Sequence, residues 1–148
     1  MSARVYLADL RHNYAGVLAT DCMPIGVAYM KAVMDRDVPE VRSRVFAYPV
    51  PLLEAMKAEP PVVLMLTNSV WKEAISLHFA ALGKRLNPAM LVVMGGPNIC
   101  TEPQRQMAFV ERHPQIDVYV LGEGDFVAAD LVRRFVEAGR RIGELGTM

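Results

Sequence analysis

Short unbroken apolar runs alternate along this chain with segments whose apolar residues recur every three or four positions. Residues 4–10 (RVYLADL) predict a first strand. Residues 23–35 predict a helix, with Asp21 as a candidate cap and Pro24 near the first turn, where its missing N–H costs little. Ile25, Ala28, Tyr29, Ala32 and Val33 are expected on its buried face. Residues 41–48 predict a second strand, and Arg42 and Arg44 suit an edge position where one side meets water. Residues 51–59 predict a short helix, and Pro60-Pro61 breaks the chain ahead of an apolar strand at 62–66. Residues 71–86 predict the clearest helix, with Trp71, Ile75, His78 or Phe79, Leu82 and Leu86 on one stripe and Lys72, Glu73 and Arg85 facing away. A strand at 90–94, a helix at 102–112 stopped by Pro114, a strand at 118–121 and a helix at 126–138 complete the pattern.

Five strands alternating with helices predict a parallel sheet covered on both faces. The runs VVLML, MLVVM and VYVL are unbroken, as strands buried on both faces are. Right-handed crossovers then restrict the topology. The expectation is a three-layer, doubly wound α/β domain of the flavodoxin-like (Rossmann-like) kind, with strand order 2-1-3-4-5, over residues 1–138. Residues 139–148 are expected to form a flexible tail leading to a further domain.

Composition narrows the partners. The chain has 148 residues, enough for one domain, and 53% of them are hydrophobic, so a buried core is within reach. Its 16 basic and 16 acidic side chains cancel, which leaves no basic face for nucleic acid or an anionic membrane. No run approaches the roughly 20 apolar residues that span a bilayer. Cys22 and Cys100 lack the paired spacing of a disulfide framework or a zinc site. With no signal-peptide pattern at the start, a reduced cytoplasmic setting is expected.

In a doubly wound sheet, ligands bind beyond the carboxyl ends of the strands. Four loops meet there, at 11–22, 67–70, 95–101 and 122–125. Gly95-Gly96-Pro97-Asn98 follows a buried strand. It is either a tight strand-to-helix turn or a place where a bulky ligand approaches backbone without a Cβ in the way. Gly122-Glu123-Gly124-Asp125 follows the last strand, with Asp125 a candidate cap and Glu123 a candidate acceptor for ligand hydroxyls or backbone donors. Thr67-Asn68-Ser69 offers three hydrogen-bonding side chains for capping or for a ligand. The first loop holds Asp9, His12, Asn13, Tyr14 and Gly16. His12 is a solvated loop residue or a metal ligand, and His78 and His113 are expected to be structural. Neither a dinucleotide fingerprint nor a phosphate loop is present. No nucleophile–base pair or acid–base carboxylate pair stands out, so no residue is expected to be catalytic by itself.

Three segments together carry a resemblance. Met23-Pro24-Ile25-Gly26 is similar to a P-L-G helix start, Val93-Met94-Gly95-Gly96-Pro97-Asn98 to a hydrophobic-G-G-P segment, and the stretch from Asp117 to Asp125 (DVYVLGEGD) to D-x-V-V-x-G-E-G-E with Asp for the last Glu. Over residues 3 to 138 the chain resembles the amino-terminal cobalamin-binding domain of radical S-adenosylmethionine enzymes. That resemblance implies a flavodoxin-like domain holding cobalamin over the strand ends. His12, Asn13, Thr67, Asn68, Ser69, Gly95, Gly96, Pro97, Asn98, Gly122, Glu123 and Gly124 would then face the cofactor. Of these, Ser69 (in Ser69-Val70-Trp71, for the family's S-x-L), Gly95, Gly96 and 122–124 would lie along its nucleotide tail. The wider cobalamin family has D-x-H-x-x-G as its lower-ligand motif. In the stretch from Asp9 to Gly16 (DLRHNYAG) the histidine is one residue late and the glycine two late. The resemblance therefore implies cobalamin with its dimethylbenzimidazole tail detached and no histidine on cobalt, and no protein metal ligand.

The C-x-x-x-C-x-x-C motif that binds the [4Fe-4S] cluster in radical chemistry is absent from these residues. The cluster and S-adenosylmethionine are therefore expected in a downstream catalytic domain, of a methyltransferase or cyclase type. The competing expectation is a degenerate domain that keeps the fold, binds no cofactor and serves a structural or docking role. A receiver-like or flavodoxin-like reading fails on motifs. Asp9 stands without an acidic cluster, no Lys follows Val120, and no phosphate loop follows the first strand.

Overall fold

The computed structural model describes residues 2–11, 13–14, 17–18 and 23–145. Five strands, β1 (Ala3–Ala8), β2 (Val41–Phe46), β3 (Val63–Thr67), β4 (Leu91–Gly95) and β5 (Val118–Val120), form one parallel sheet in the order β2-β1-β3-β4-β5. The doubly wound order expected from the strand pattern is the one observed. Five helices link or follow the strands: α1 (Ile25–Asp37), α2 (Pro49–Ala58), α3 (Glu73–Leu86), α4 (Pro103–Arg112) and α5 (Asp125–Glu137). Two short strands, Asn13–Tyr14 and Val17–Leu18, pair as an antiparallel ribbon between β1 and α1.

Alternation along each strand builds the three layers. Val5 and Leu7 of β1, Met65 of β3 and Val93 of β4 point to one face, where they pack with Val27 and Met34 of α1 and Leu131, Val132 and Phe135 of α5. Tyr6, Leu64, Val92 and Met94 point to the other face, against Leu52 and Met56 of α2, Phe79 and Ala80 of α3 and Phe109 of α4. The packed body continues past α5. A short 3-10 turn at Ile142–Glu144 follows α5, and Leu145 is buried with core residues of α1 and α5.

Two helices turn their faces differently from the periodicity. Val27 and Met34 are the buried residues of α1, while Ile25 and Tyr29 are 58% and 62% exposed. Both stripes of this helix are apolar, so local periodicity does not choose between them. On α3 the buried face is Ser76, Phe79, Ala80 and Gly83, and Trp71 lies before the helix, 71% exposed. Small residues win there because the helix sits close on the sheet; a Cβ on Gly83 would lie 2.8 Å from the Met90 sulfur. Helix starts differ too. None of Thr67, Asn68, Ser69 or Asp125 makes a side-chain cap: α3 begins at the Lys72 N-cap and α5 at the Gly124 N-cap, both without one. Asp21, the other cap candidate, lies outside the described residues.

The amino-terminal edge of the sheet is clamped by Asp117. Its carboxylate accepts the Lys84 ammonium at 2.6 Å and the Val92 N–H at 2.7 Å, and Lys84 also donates to the Met90 carbonyl at 2.7 Å. Asp117 thus joins α3, β4 and β5 at the end of the sheet opposite the carboxyl-terminal loops. Asp117→Ala leaves a half-buried ammonium and a β4 N–H without their acceptor. It is expected to lower stability by about 2–3 kcal/mol, read as a shift of the urea midpoint at unchanged slope.

Candidate functional site

The carboxyl ends of β1, β3, β4 and β5 stop at nearly one level, and the start of α1 stands off from them. The gap is a cleft of about 220 Å³. Its floor is apolar, made by Met65 and Val93 from the sheet and Val27 and Met30 from α1. Its rim is made of strand ends and small residues: Asp9 just after β1, Thr67 and Gly95 at the ends of β3 and β4, Gly96, Gly122 and Gly124 in the loops that follow β4 and β5, and Gly26 in the first turn of α1.

Those glycines serve different ends. Gly96 has a φ of 132° and packs so tightly on the neighbouring loop that a Cβ would fall 2.3 Å from the Asn68 carbonyl oxygen. Glycine is compulsory there for the fold. Gly122, at a φ of 74°, supplies a left-handed turn. Gly26 has an ordinary helical backbone, and a Cβ built on it meets nothing within 4 Å among the described residues. Their packing makes no demand for glycine at that position.

Beneath the glycine loops lies a polar network. Asn68 is fully buried. Its Nδ2 donates to the Asn98 carbonyl at 2.9 Å and to the Tyr119 hydroxyl at 3.1 Å, and its backbone N–H donates to the Gly95 carbonyl at 2.6 Å. Asn98 Nδ2 donates in turn to Asn68 Oδ1 at 3.2 Å and to Glu73 at 2.6 Å. Burial pushes the Tyr119 phenol pKa up; the Asn68 hydrogen bond opposes this and the Glu73 charge adds to it. The hydroxyl therefore stays protonated and donates to the Gly96 carbonyl at 3.0 Å. This network fixes the two loops to each other.

A second cluster faces the cleft. Asp9 Oδ1 accepts the Thr67 hydroxyl at 2.8 Å and also the Lys72 ammonium. Ser69, two residues after Thr67, has a buried Oγ with no hydrogen-bond partner among the described residues. Around the same loops stand exposed apolar side chains: Met23, Ile25, Val70, Trp71, Leu121 and Phe126. A concentration of apolar groups at one end of a sheet marks a binding surface.

No protein-family model matches the chain. Curated methyltransferases do. The 2-(S-pantetheinyl)-carbapenam-3-carboxylate methyltransferase of Streptantibioticus cattleyicolor is 31% identical over 124 residues, which are 80% of this chain and 18% of that protein. The cobalamin-dependent radical SAM methyltransferase TokK of Streptomyces tokunonensis is 28% identical over 137 residues, 89% of this chain and 20% of that protein. The chain resembles one part of these methyltransferases. An uncharacterized methyltransferase of Pyrococcus horikoshii is 29% identical over 138 residues, with 88% of this chain and 28% of that protein covered. The chain thus spans about a fifth of the length of the first two relatives. The resemblance inferred from the glycine segments and the similarity of whole sequences point the same way.

Of the residues singled out in the sequence, the structure brings Thr67, Gly95, Gly96, Gly122 and Gly124 to the cleft wall. Ser69 is outside the lining with its Oγ buried, and Asn68 and Asn98 are engaged with each other beneath the loops. Pro97 and Glu123 are exposed and outside the lining. His12 lies outside the described residues, as does the side chain of Asn13. Gly26 and Met30 of the cleft wall, and Lys72 behind Asp9, were not among the residues expected to face a ligand; Asp9 entered the sequence reading through the first loop and the D-x-H-x-x-G comparison, not as a ligand contact. Gly26 carried a signal, a glycine placed inside a helix. Lys72 carried none, because on the helix pattern it faces solvent. Among the described residues, no three His, Cys, Asp or Glu side chains gather as a metal site, and no helix is long and apolar enough to cross a membrane.

Proposed function

We propose that this chain is the cobalamin-holding module of a radical S-adenosylmethionine methyltransferase, working in the cytoplasm, with cofactor held over the carboxyl ends of β1, β3, β4 and β5. The observation that carries the reading is Gly26. Glycine inside a helix costs about 0.5–1 kcal/mol relative to alanine, and here no neighbour within 4 Å among the described residues requires it. It borders the cleft, so its missing side chain leaves room for something other than protein. Three features support a cofactor of this kind. The floor of the cleft is apolar and suits a flat heterocycle. The exposed apolar side chains around the loops suit the broad face of a macrocycle. The Asp9 carboxylate at the cleft wall keeps acceptor positions that no described residue uses.

Cobalamin, when bound, supplies the methyl-transfer chemistry itself. The work left to this chain is to bind, orient and exclude water, and a site of glycines, hydroxyls and apolar side chains does that without an acid–base pair. The iron–sulfur cluster and S-adenosylmethionine belong, on this reading, to a further catalytic domain of the same enzyme, which is also this module's protein partner.

The test is retention of colour. Purified chain mixed with hydroxocobalamin and desalted is expected to keep the corrinoid's visible absorbance at close to one equivalent. Complete loss of absorbance from protein whose circular dichroism remains that of an α/β fold counts against the reading.

A further inference from the structure

Among the described residues, the carboxylate of Asp9 is only half used. Asp9 follows β1, and its backbone N–H bonds to the Phe46 carbonyl at 3.0 Å, so the sheet fixes where the side chain begins. Thr67 and Lys72 both bond to the same oxygen, Oδ1. The Lys72 and Asp9 side chains are 16% and 22% exposed. Among the described residues nothing bonds to Oδ2, although Asp9 lines the cleft. A carboxylate offers about four acceptor positions, so Asp9, a residue of the cleft wall, keeps acceptor capacity that no described residue uses.

Charge decides what it accepts. The Lys72 ammonium neutralises Asp9 locally, so an anionic group gains little there, and the Thr67 proton is already committed to Oδ1. What remains is a fixed, partly desolvated acceptor that prefers a neutral donor. We propose that Asp9 is a ligand-binding residue whose Oδ2 accepts a hydrogen bond from an O–H or N–H group of the molecule in the cleft, with Thr67 and Lys72 as its positioning residues. The inference rests on the cofactor reading above. A cobalamin carries two sources of such a donor, the carboxamides around the corrin and the ribose hydroxyl of the nucleotide tail.

Titrations of the purified chain with hydroxocobalamin and with dicyanocobinamide, which lacks the nucleotide, test this, with melting temperatures followed alongside. Asp9→Asn keeps an acceptor oxygen for Thr67 and Lys72 but turns an NH2 toward the ligand donor. It is expected to weaken cobalamin binding about tenfold or more. Lys72→Met removes the ion pair and leaves the carboxylate, and is expected to weaken binding by about threefold or less. Asp9→Glu, which keeps the charge but displaces the free oxygen by one methylene, should weaken binding as Asp9→Asn does and serves if that variant fails to fold. A penalty seen with cobalamin alone puts the donor on the tail, and a penalty with both corrinoids puts it on the ring; either supports the proposal. Equal weakening by Asp9→Asn and Lys72→Met, or no weakening by the Asp9 variants, overturns it and leaves the cofactor reading standing. Failure of the wild-type chain to bind either corrinoid overturns both.

Discussion

Gly96→Ala is expected to destabilise this protein by about 3–5 kcal/mol, enough to leave much of it unfolded at physiological temperature. Two penalties fall on the same atom. The φ of 132° lies where a side chain is strained, and the Cβ would arrive 2.3 Å from the Asn68 carbonyl oxygen, a distance no real contact adopts. Relief requires Asn68 to retreat, yet its backbone N–H is bonded to Gly95 and its side chain to Asn98 and Tyr119. The neighbouring loop is thus the part of the site least able to move. Thermal and urea unfolding of the variant measure the loss. Gly122→Ala is the matched control: its φ of 74° is also left-handed, but open space surrounds it. It should cost only about 1–2 kcal/mol. If Gly96→Ala melts no lower than Gly122→Ala, the close approach of the two loops is not rigid.

The second large effect is on binding rather than on folding. Gly26→Trp places an indole over the mouth of the cleft from the first turn of α1, where no described residue lies within 4 Å of the added Cβ. It is expected to reduce cobalamin retention about a hundredfold or more, the scale set by losing the buried contacts of one heterocycle, while circular dichroism and melting temperature stay near wild type. Gly26→Ala is expected to raise stability by up to about 1 kcal/mol. That gain would show that the glycine is kept for the cleft and not for the helix. Gly26→Trp protein that retains cobalamin like the wild type removes the main support for a ligand in this cleft. Gly95 is a poorer place for the same experiment. A Cβ there meets the Val120 carbonyl oxygen at 3.3 Å, so a bulky residue would disturb β5 as well as the cleft.

Much of the fold was legible from the chain. The apolar runs at 62–66 and 90–94 could be satisfied only between covered faces, and Arg42 and Arg44 could stand only at an edge. Those constraints are local or nearly so, and they recover the order β2-β1-β3-β4-β5. The glycine pairs after β4 and β5 were legible for the same reason: a strand that stops at glycine in a doubly wound sheet stops at the ligand edge. The site was less so. Gly95-Gly96 allowed two readings in the sequence, a tight turn or a ligand approach. The structure assigns the turn to Gly96, which is needed for the protein's own packing, and brings both glycines to the cleft wall.

What the sequence determined by itself was period, order and end: which segments are strands, which are helices, how they alternate, and which loops share an edge. What only the tertiary structure decided was rotation and partnership. Ile25 and Tyr29 form as good an apolar stripe as Val27 and Met34, and the choice between them belongs to the sheet and α5, which no residue of α1 encodes. Asp9 meets Thr67 and Lys72 from 58 and 63 positions away, and only the adjacency of β1 and β3 brings them together. Periodicity is a property of neighbours along the chain; a buried hydrogen bond is a property of neighbours in space. The acceptor at Asp9 and the open place beside Gly26 therefore emerge only once the strands are laid side by side.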